Sequence, residues 1–214
     1  MKVCICSLSN RPILYEKTFT IMERYCKKWG HHFFPYYELL ATDRHPAWGK
    51  IALCKKLLET QLFDYVIWID DDIVLTNMEK NIVDFINETN DKCISIQKEN
   101  KRGKSINSGF MIMKNDPTTL KILNDVWVEG ETSKYKTNHP WEQGVIKPYV
   151  YKNITHFHLF NNKELQTFHP GCGSWAGKWR WEKGEFSCHL AGIGMKRRIL
   201  LIDELIKNIS NTNE

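Results

Sequence analysis

Three consecutive aspartates interrupt an otherwise apolar segment of the chain. In the stretch VIWIDDDIVL, which covers 66–75, four apolar residues run into Asp70, Asp71 and Asp72, and three apolar residues follow. Carboxylates are rarely buried in proteins unless a cation or hydrogen bonds compensate their charge. The aspartates therefore indicate chemistry rather than packing.

The spacing of the aspartates favours a divalent metal site. Residues two apart on a strand point to the same side, so a strand continuing through the trio would pair Asp70 with Asp72 and turn Asp71 away. Two adjacent carboxylates repel each other unless a cation lies between them, and hard oxygen ligands suit Mg²⁺ or Mn²⁺. We prefer this interpretation to a solvated acidic turn, because the flanking residues are too apolar for such a turn.

The length and composition favour one folded domain with an anionic ligand. The chain has 214 residues, 42% of them hydrophobic, and a formal net charge of +5. This charge suits a nucleotide diphosphate, whereas the aromatic-basic pattern of nucleic-acid-binding strands is missing. No apolar run approaches the roughly 18 residues of a membrane span, and no signal peptide is recognisable, so we expect a cytoplasmic protein. Seven cysteines without framework spacing are expected to be reduced.

Strand and helix patterns alternate along the sequence. Strands are predicted over 2–8, 32–39, 64–69, 93–98, 110–115 and 155–160. Helices are predicted over 12–29, 48–62, 78–89, 117–128 and 198–209. This alternation predicts an α/β fold in which helices flank a mixed, mostly parallel central sheet. Residues 1–214 are expected to form one domain, with a nucleotide-binding part at about 1–110 and an acceptor-side part at about 111–200. The polar tail SNTNE fits either a surface terminus or a linker from a longer protein in which this domain would be the first.

One enzyme class that matches the aspartates locally is the haloacid-dehalogenase-type phosphatases. In that alternative Asp70 is the nucleophile and Asp72 the acid/base. The chemistry also needs a second acidic cluster to complete its Mg²⁺ site, and the aspartates after Asp72 are isolated from one another. A second alternative is a non-catalytic module that binds sugars or nucleic acid, to which the aromatic residues and the positive charge would contribute.

Five blocks in order resemble a known family. They are HPAWGKIALCKKLL, FDYVIWIDDDIVL, INSGFMIMKND, PWEQGVI and FSCHLAG, between about 45 and 195. The set resembles the retaining α-galactosyl/α-xylosyltransferases of glycosyltransferase family 34, with a weaker likeness to family 8. A closer likeness is to the amino-terminal glycosyltransferase domains of capsid-glycosylating proteins of large DNA viruses, which would place the chain in the host-cell cytoplasm. The resemblance implies a GT-A fold, in which a D-x-D motif holds a divalent ion against the diphosphate of a nucleotide sugar.

The resemblance assigns roles to individual residues. It implies that Asp70, Asp72 and His189 hold the metal, for which such a mixed oxygen and nitrogen set favours Mn²⁺, with Mg²⁺ as an alternative. From the sequence alone, a histidine beside a late strand is more often structural. The residues implied to contact the nucleotide sugar are Ser7, Leu8, Lys50, Asp70, Asp71, Asn107, Ser108, Gly109, Gly192 and Lys196. Those implied to act at the reacting sugar are Gln143, Asn107 and Glu142.

Several of these assignments compete with a purely structural interpretation. Lys50 also fits an exposed helical lysine, the segment 107–109 fits a turn between strands, and Glu142 fits the polar first turn of a helix. In the family, the lysine that corresponds to Lys196 lies closer along the chain to the metal-binding histidine than Lys196 lies to His189, so the match at Lys196 is incomplete. Ser7 and Leu8 rest on fold analogy alone.

The tryptophans of HPGCGSWAGKWRWEKGE permit two interpretations. Trp175, Trp179 and Trp181 stand among glycines, and indoles in such a loop are suited to stack on the apolar face of a sugar. They can equally fold down over the sheet edge.

Taken together, the sequence predicts a metal-dependent, retaining glycosyltransferase. It would transfer a hexose or related sugar from a UDP-sugar to a glycan or glycoprotein acceptor. No carboxylate is firmly placed as a nucleophile, which favours a front-face reaction in which Gln143 and Asn107 stabilise the oxocarbenium-like centre.

Overall fold

The computed structural model describes residues 1–100, 105–161 and 163–210. Its strands are β1 (Val3–Leu8), β2 (His32–Tyr36), β3 (Tyr65–Ile69), β4 (Ile73–Leu75), β5 (Ile94–Asn100), β6 (Ser105–Lys114), β7 (Phe157–Phe160), β8 (Thr167–Phe168) and β9 (Ser187–His189). Its α-helices are α1 (Pro12–Trp29), α2 (Gly49–Glu59), α3 (Ile82–Glu88), α4 (Pro117–Thr132), α5 (Glu142–Lys152) and α6 (Met195–Ser210). Short 3₁₀ helices cover Pro46–Trp48, Lys134–Lys136, Ile154–His156 and Ser174–Trp179.

A six-stranded sheet with the order β2-β1-β3-β6-β5-β7 forms the centre of the molecule. Strand β1 pairs in parallel with β2 and β3, and β5 pairs in parallel with β7. Strand β6 is antiparallel to both of its neighbours. The predicted mixed, mostly parallel sheet is therefore confirmed, and Pro35 lies in the edge strand β2, where its missing N–H costs no ladder bond.

Apolar layers cover both faces of this sheet, because the strands at its centre are buried on both sides. In β3, Ile67 and Ile69 pack into the layer with α1, α3 and α6, whereas Val66 and Trp68 pack into the layer with α2, α4 and α5. Helices on two faces explain why the β3 sequence is continuously apolar rather than alternating. All seven cysteines are free and buried, as expected.

A smaller three-stranded sheet with the order β4-β9-β8 was not predicted. Strand β4 follows β3 after a three-residue turn and pairs antiparallel with β9, with Ile73 opposite His189. The strands of this sheet have two or three residues each, too few to show a period in the sequence. The small sheet is what brings His189 to the aspartates.

The boundaries of the five predicted helices follow their sequence signals to within four residues at either end. Helix α1 ends at Gly30, which has φ 69°, and the Asp116 side chain accepts a hydrogen bond from the Thr118 N–H at the start of α4. Helix α4 runs four residues beyond its predicted end. Strand β6 begins at Ser105, well before the predicted 110, so the interpretation of 107–109 as a turn is wrong. The predicted division of the domain near 110 stays a prediction, and that position lies inside β6.

In the described ranges, no helix is both long and apolar enough to cross a membrane.

The contact between Gly130 and Trp48 yields a stability prediction. Gly130 lies in α4, and a Cβ there would come 2.3 Å from Cη2 of Trp48, which is fully buried. Alanine in a helix normally gains up to about 1 kcal/mol over glycine. Here we expect Gly130→Ala to lower the free energy of unfolding by about 1–3 kcal/mol, because the rigid indole cannot retreat within a packed core. Urea denaturation measures the change.

The control for this prediction is the double variant with Trp48→Phe, which removes the ring atoms that the new methyl group meets. The double variant should lose less stability than the sum of the two single changes. A stabilised Gly130→Ala protein would contradict this packing.

Candidate active site

A cavity of about 770 Å³ opens at the carboxyl ends of β1 and β3. Its walls come from the segment after β1, the turn after β3, the middle of β6, the start of α5 and the loop after β9. Carboxyl ends of central strands are where open α/β sheets bind ligands. The cavity therefore occupies the place at which the sequence predicted the chemistry.

The three aspartates form a tight turn rather than a continuing strand. Strand β3 ends at Ile69, and the Ile73 N–H donates to the Asp70 carbonyl at 3.0 Å. Strand alternation is thus the wrong reason for the pairing of Asp70 with Asp72. The argument that the flanking residues are too apolar for a turn is therefore wrong, although the turn is buried rather than solvated, since Asp71 and Asp72 are only 6% and 8% exposed.

The turn nevertheless brings Asp70 and Asp72 together with His189. One ligand atom from each of the three residues lies within 4.8 Å of the other two. His189 Nε2 is 3.1 Å from Asp72 Oδ1, and the Leu190 N–H donates to the Asp72 carbonyl at 3.0 Å. Two carboxylates and one imidazole are a donor set that suits Mn²⁺, and also Mg²⁺ through the carboxylates.

Gly109 provides the space for the His189 ring. A Cβ at Gly109 would lie 2.6 Å from His189 Cε1, so only glycine lets the imidazole lie against the β6 backbone. On its other side His189 stacks on Phe168, with ring centres 5.6 Å apart. The ring is fixed by packing, and its buried Nδ1 has no hydrogen-bond partner in the described part of the chain. Gly109 thus lines the cavity and positions the His189 ring beside it.

Lys50 is the buried centre of an ion-pair network. Its ammonium lies 3.0 Å from Asp70 Oδ1 and 2.9 Å from Glu142 Oε1, and it donates to the Ser108 carbonyl at 3.1 Å. Burial alone would disfavour the ammonium, but the two carboxylates outweigh it and raise the pKa of Lys50 above its ordinary value. The interpretation of Lys50 as an exposed helical lysine is wrong.

Arg198 compensates the charge of Asp72 from the first turn of α6. Its guanidinium lies 3.3 Å from Asp72 Oδ2. Burial of Asp72 opposes ionisation, but His189 and Arg198 prevail and hold the pKa of Asp72 well below its usual range. Lys196, two residues earlier, is exposed and does not line the cavity.

Arg11 pairs with Asp71, but burial and the neighbouring Asp72 outweigh this contact and raise the pKa of Asp71 above its ordinary value. The Arg11 guanidinium forms a two-point ion pair with the Asp71 carboxylate, in which Nε donates to Oδ2 at 3.0 Å. The Thr18 hydroxyl also donates to the Asp71 carbonyl at 3.0 Å. Asp71 therefore points away from the cluster of Asp70 and Asp72, as predicted, and it tethers the turn to α1.

The start of α5 presents Glu142 and Gln143 to β6. The Ser108 hydroxyl donates to Glu142 Oε1 at 2.8 Å, and the Ser108 N–H donates to Gln143 Oε1 at 3.0 Å. Glu142 is 2% exposed, and its Oε2 has no hydrogen-bond partner among the described residues. Trp141 precedes it with φ 52° and ψ −130°, an unfavourable backbone conformation of the kind that concentrates at functional sites.

The remaining predicted residues divide between the cavity wall and its support. Leu8 and Gly192 line the cavity, and Gly192 has φ 70°, which favours glycine. Asn107 also lines it, and its side-chain oxygen accepts from the Gly109 N–H and from Gln166 Nε2, both at 2.9 Å. Ser7 is fully buried and does not line the cavity.

Two functional candidates were not assigned individually from the sequence. Arg198 is one of the two arginines after Lys196 in the basic cluster MKRR, which the sequence indicates only as a group that could neutralise the leaving diphosphate. Arg11 lies 60 positions from its partner Asp71, and no local pattern links them.

The described residues that line the cavity carry an excess of negative charge, unlike the chain as a whole. Among them, three cations, Arg11, Lys50 and Arg198, face five carboxylates, those of Asp70, Asp71, Asp72, Glu99 and Glu142. With the histidines neutral, the formal balance of three positive against five negative groups is −2. A bound anion would therefore be repelled unless a further cation accompanied it.

The phosphatase alternative lacks the second half of its site. Within the described ranges, Asp70, Asp72 and His189 are the one cluster of three or more acidic, cysteine or histidine side chains that could hold a metal. The additional acidic cluster that the phosphatase chemistry requires is therefore missing from this part of the chain.

Comparison with known proteins identifies the fold. No protein-family model and no curated protein matches the sequence. Among solved structures, the chain is similar to a glycosyltransferase involved in the glycosylation of the major capsid of PBCV-1, with a TM-score of 0.78, 20% identity, and coverage of 95% of this chain and 100% of that one.

The chain is also similar, at lower sequence identity, to the solved structures of two further glycosyltransferases. GlyE of Streptococcus pneumoniae TIGR4 gives a TM-score of 0.62 at 10% identity, over 99% of this chain and 63% of GlyE. The galactosyltransferase LgtC, solved with donor and acceptor sugar analogues, gives a TM-score of 0.59 at 9% identity, over 98% of this chain and 95% of LgtC. The resemblance stated from the sequence motifs is thus matched in structure: the chain has the GT-A-like fold of these glycosyltransferases.

Proposed function

We propose that this chain is a divalent-metal-dependent glycosyltransferase. It transfers a hexose or related sugar from a UDP-sugar to a glycan or glycoprotein acceptor, with retention of configuration. The observation that carries the proposal is the convergence of Asp70, Asp72 and His189 inside the cavity of a GT-A-like fold. The fold alone would not justify it, because one fold hosts many functions.

The charge balance of the cavity supports the metal requirement. A nucleotide diphosphate adds negative charge to a cavity whose described lining side chains already have a formal balance of −2. Mn²⁺, or Mg²⁺ in its place, would be held by Asp70, Asp72 and His189, and it would supply the positive charge that stabilises a departing diphosphate. Arg198, which lies beside Asp72, is placed to add a hydrogen-bond donor for the same phosphate oxygens.

The nucleoside is assigned to the wall formed after β1. Leu8, Ser9 and Asn10 line the cavity there, next to Arg11 and its partner Asp71. Ser7 supports this wall from beneath rather than by contact, since its side chain is fully buried. The ion pair of Arg11 with Asp71 holds the wall and the aspartate turn in one arrangement, which fixes the nucleoside relative to the diphosphate.

Retention is favoured because the carboxylates around the cavity are already engaged. Asp70 and Glu142 share Lys50, Asp72 contacts Arg198, and Asp71 pairs with Arg11. Within the described ranges, every cavity carboxylate except Glu99 has a cation as a partner, and Glu99 accepts from the Ser105 hydroxyl at 2.7 Å.

In the front-face route, the departing phosphate takes the proton of the acceptor hydroxyl on the face where the new bond forms. Gln143 and Asn107 then lie beside the developing positive charge on the sugar, with their side-chain oxygens oriented by β6 and Gln166.

The first prediction concerns ligand binding. UDP is expected to raise the stability of the fold only when Mn²⁺ or Mg²⁺ is present, because the cavity repels the diphosphate without a cation. At about a hundredfold excess over Kd the gain should be about 2.7 kcal/mol. Thermal denaturation with and without EDTA measures this, and an equal shift in EDTA would rule out a bridging metal.

The second prediction concerns the aspartate turn. Asp72→Asn and His189→Ala are expected to abolish most turnover and to weaken Mn²⁺ binding, because each removes a metal ligand. Asp71→Asn should retain far more activity, since Asp71 faces Arg11 rather than the cluster. The measurements are kcat at saturating Mn²⁺ and Mn²⁺ affinity by electron paramagnetic resonance.

Circular dichroism controls for folding in this series. Asp71→Asn leaves Arg11 without its charged partner, so we expect a stability loss of about 1–3 kcal/mol with metal affinity preserved. If Asp71→Asn instead weakens Mn²⁺ binding more than Asp72→Asn does, the metal cluster has been assigned to the wrong carboxylates.

The third prediction tests the reaction itself. Incubation with a panel of UDP-sugars, Mn²⁺ and glycan acceptors should release UDP with one preferred donor, and the product should keep the anomeric configuration of that donor. NMR of the new glycosidic bond decides the configuration. An inverted product would remove the front-face route and identify a carboxylate, with Glu142 the first candidate, as general base. Absence of UDP release from every donor would overturn the proposed function.

A further inference from the structure

The tryptophans of the 174–181 segment separate into two classes. Trp179 is 4% exposed and belongs to the core, and the partly buried Trp181 donates from Nε1 to the Thr76 hydroxyl at 2.9 Å. Both follow the interpretation in which the indole folds down over the protein. Trp175 is different, because it is 39% exposed and lines the cavity.

Trp175 has the free ring surface that the other tryptophans of the cavity lack. Trp68 is buried with the Lys50 ammonium 5.5 Å from its ring centre, and Trp141 is stacked by His45 at 3.9 Å and 7°. Trp175 meets Phe168 at 71°, and no ring in the described part of the chain stacks in parallel on it. Its Nε1 likewise has no hydrogen-bond partner within that part.

The packing of its own loop holds Trp175 in the exposed position. Cys172 and Ala176 on either side of it are buried, and the Ala176 N–H donates to the Gly173 carbonyl at 3.1 Å. A Cβ at Gly173 would lie 2.7 Å from Trp175 Cδ1, so the missing side chain at 173 lets the indole take this position. A large apolar ring held in contact with water by its own loop indicates a binding surface.

The position of the ring relates it to the proposed reaction. Trp175 and Phe168 have ring centres 4.9 Å apart, and Phe168 and His189 have centres 5.6 Å apart. The Trp175 and His189 rings are therefore at most 10.5 Å apart, the sum of the two separations. A ring stacked on Trp175 would thus lie near the metal-ligand cluster.

We propose that Trp175 is the platform of the acceptor subsite and that the acceptor presents a pyranose ring to it. This inference rests on the proposed function and narrows its acceptor to a saccharide. A pyranose has one face of C–H groups, which stacks on an indole and leaves the water, and a rim of hydroxyls, which hydrogen-bond. The free Nε1 of Trp175 is a donor for such a hydroxyl.

The test measures saccharide binding directly. Saturation-transfer NMR is carried out with methyl glycosides of glucose, galactose, mannose and xylose and with cellobiose and maltose, in the presence of UDP and diamagnetic Mg²⁺. At least one saccharide should receive saturation from the wild-type protein. Trp175→Ala should raise its Kd by roughly tenfold, and Trp175→Phe by less, because phenylalanine keeps part of the ring surface.

Two further variants distinguish stacking from general damage. Gly173→Ala keeps the indole but displaces it, and the backbone at Gly173 (φ −59°, ψ 171°) accepts alanine, so this variant should also weaken saccharide binding. Trp181→Ala removes an indole of the same loop outside the cavity and should leave saccharide affinity within about twofold of wild type. UDP affinity by thermal shift, with circular dichroism, shows that each variant is folded.

The results of this saccharide-binding test can be distinguished from the results of the UDP-release test of the proposed function. Unchanged saccharide affinity in Trp175→Ala would overturn the inference, as would the absence of saturation transfer to every saccharide with the wild-type protein. A loss of UDP-sugar affinity as large as the loss of saccharide affinity would assign the ring to the donor and also overturn it. Failure of all UDP-sugars to release UDP would refute the proposed function, whereas a Trp175-dependent saccharide signal would still support this subsite.

Discussion

The compensation of buried carboxylates is the constraint on which the rest of this structure depends. Asp71, Asp72 and Glu142 are almost entirely buried, although they lie at an edge of the sheet where side chains could otherwise have been exposed to water. An isolated carboxylate in such a place would cost several kcal/mol. Each has its own cation, and each cation comes from a different helix: Arg11 from the start of α1, Lys50 from α2 and Arg198 from α6. Three helices are thereby fixed relative to one turn.

Lys50 contacts more structural elements than Arg11 or Arg198 does. Its ammonium joins the end of β3, the middle of β6 and the start of α5 through Asp70, the Ser108 carbonyl and Glu142. Breaking a buried pair by removing one partner typically costs about 3–5 kcal/mol. The same network fixes the geometry around Asp70 and Glu142, both of which face the cavity. Rigid support of this kind is what a metal-binding and sugar-binding site requires.

The small sheet connects this network to the opposite wall. Strand β9 carries His189 to Asp72, and the same histidine packs on Phe168, which in turn contacts Trp175. The candidate metal ligand and the candidate acceptor platform therefore share one aromatic contact chain. Neither assignment follows from the GT-A-like fold alone, because the structural relatives have only 9–20% sequence identity with this chain. The function is argued from the site that the fold positions.

The sequence by itself determined the elements with a strong local signal and the residue types of the site. Continuous apolar runs specified β1 and β3, Gly30 and Asp116 specified helix ends, and the aspartate trio specified where the candidate metal-binding cluster lies. These features depend on neighbours within a few positions, which is why they can be read without a structure.

The tertiary structure decided everything that depends on distant partners. It replaced the predicted strand through the aspartates with a buried turn, selected Arg198 rather than Lys196 for the cavity, and separated Trp175 from Trp179. Arg11 and Asp71 are 60 positions apart, and Asp72 and His189 are 117 positions apart, so no local pattern encodes their contact. Long-range pairing of charges and rings is set by how helices pack on the sheet, and that information becomes explicit only when the chain has folded.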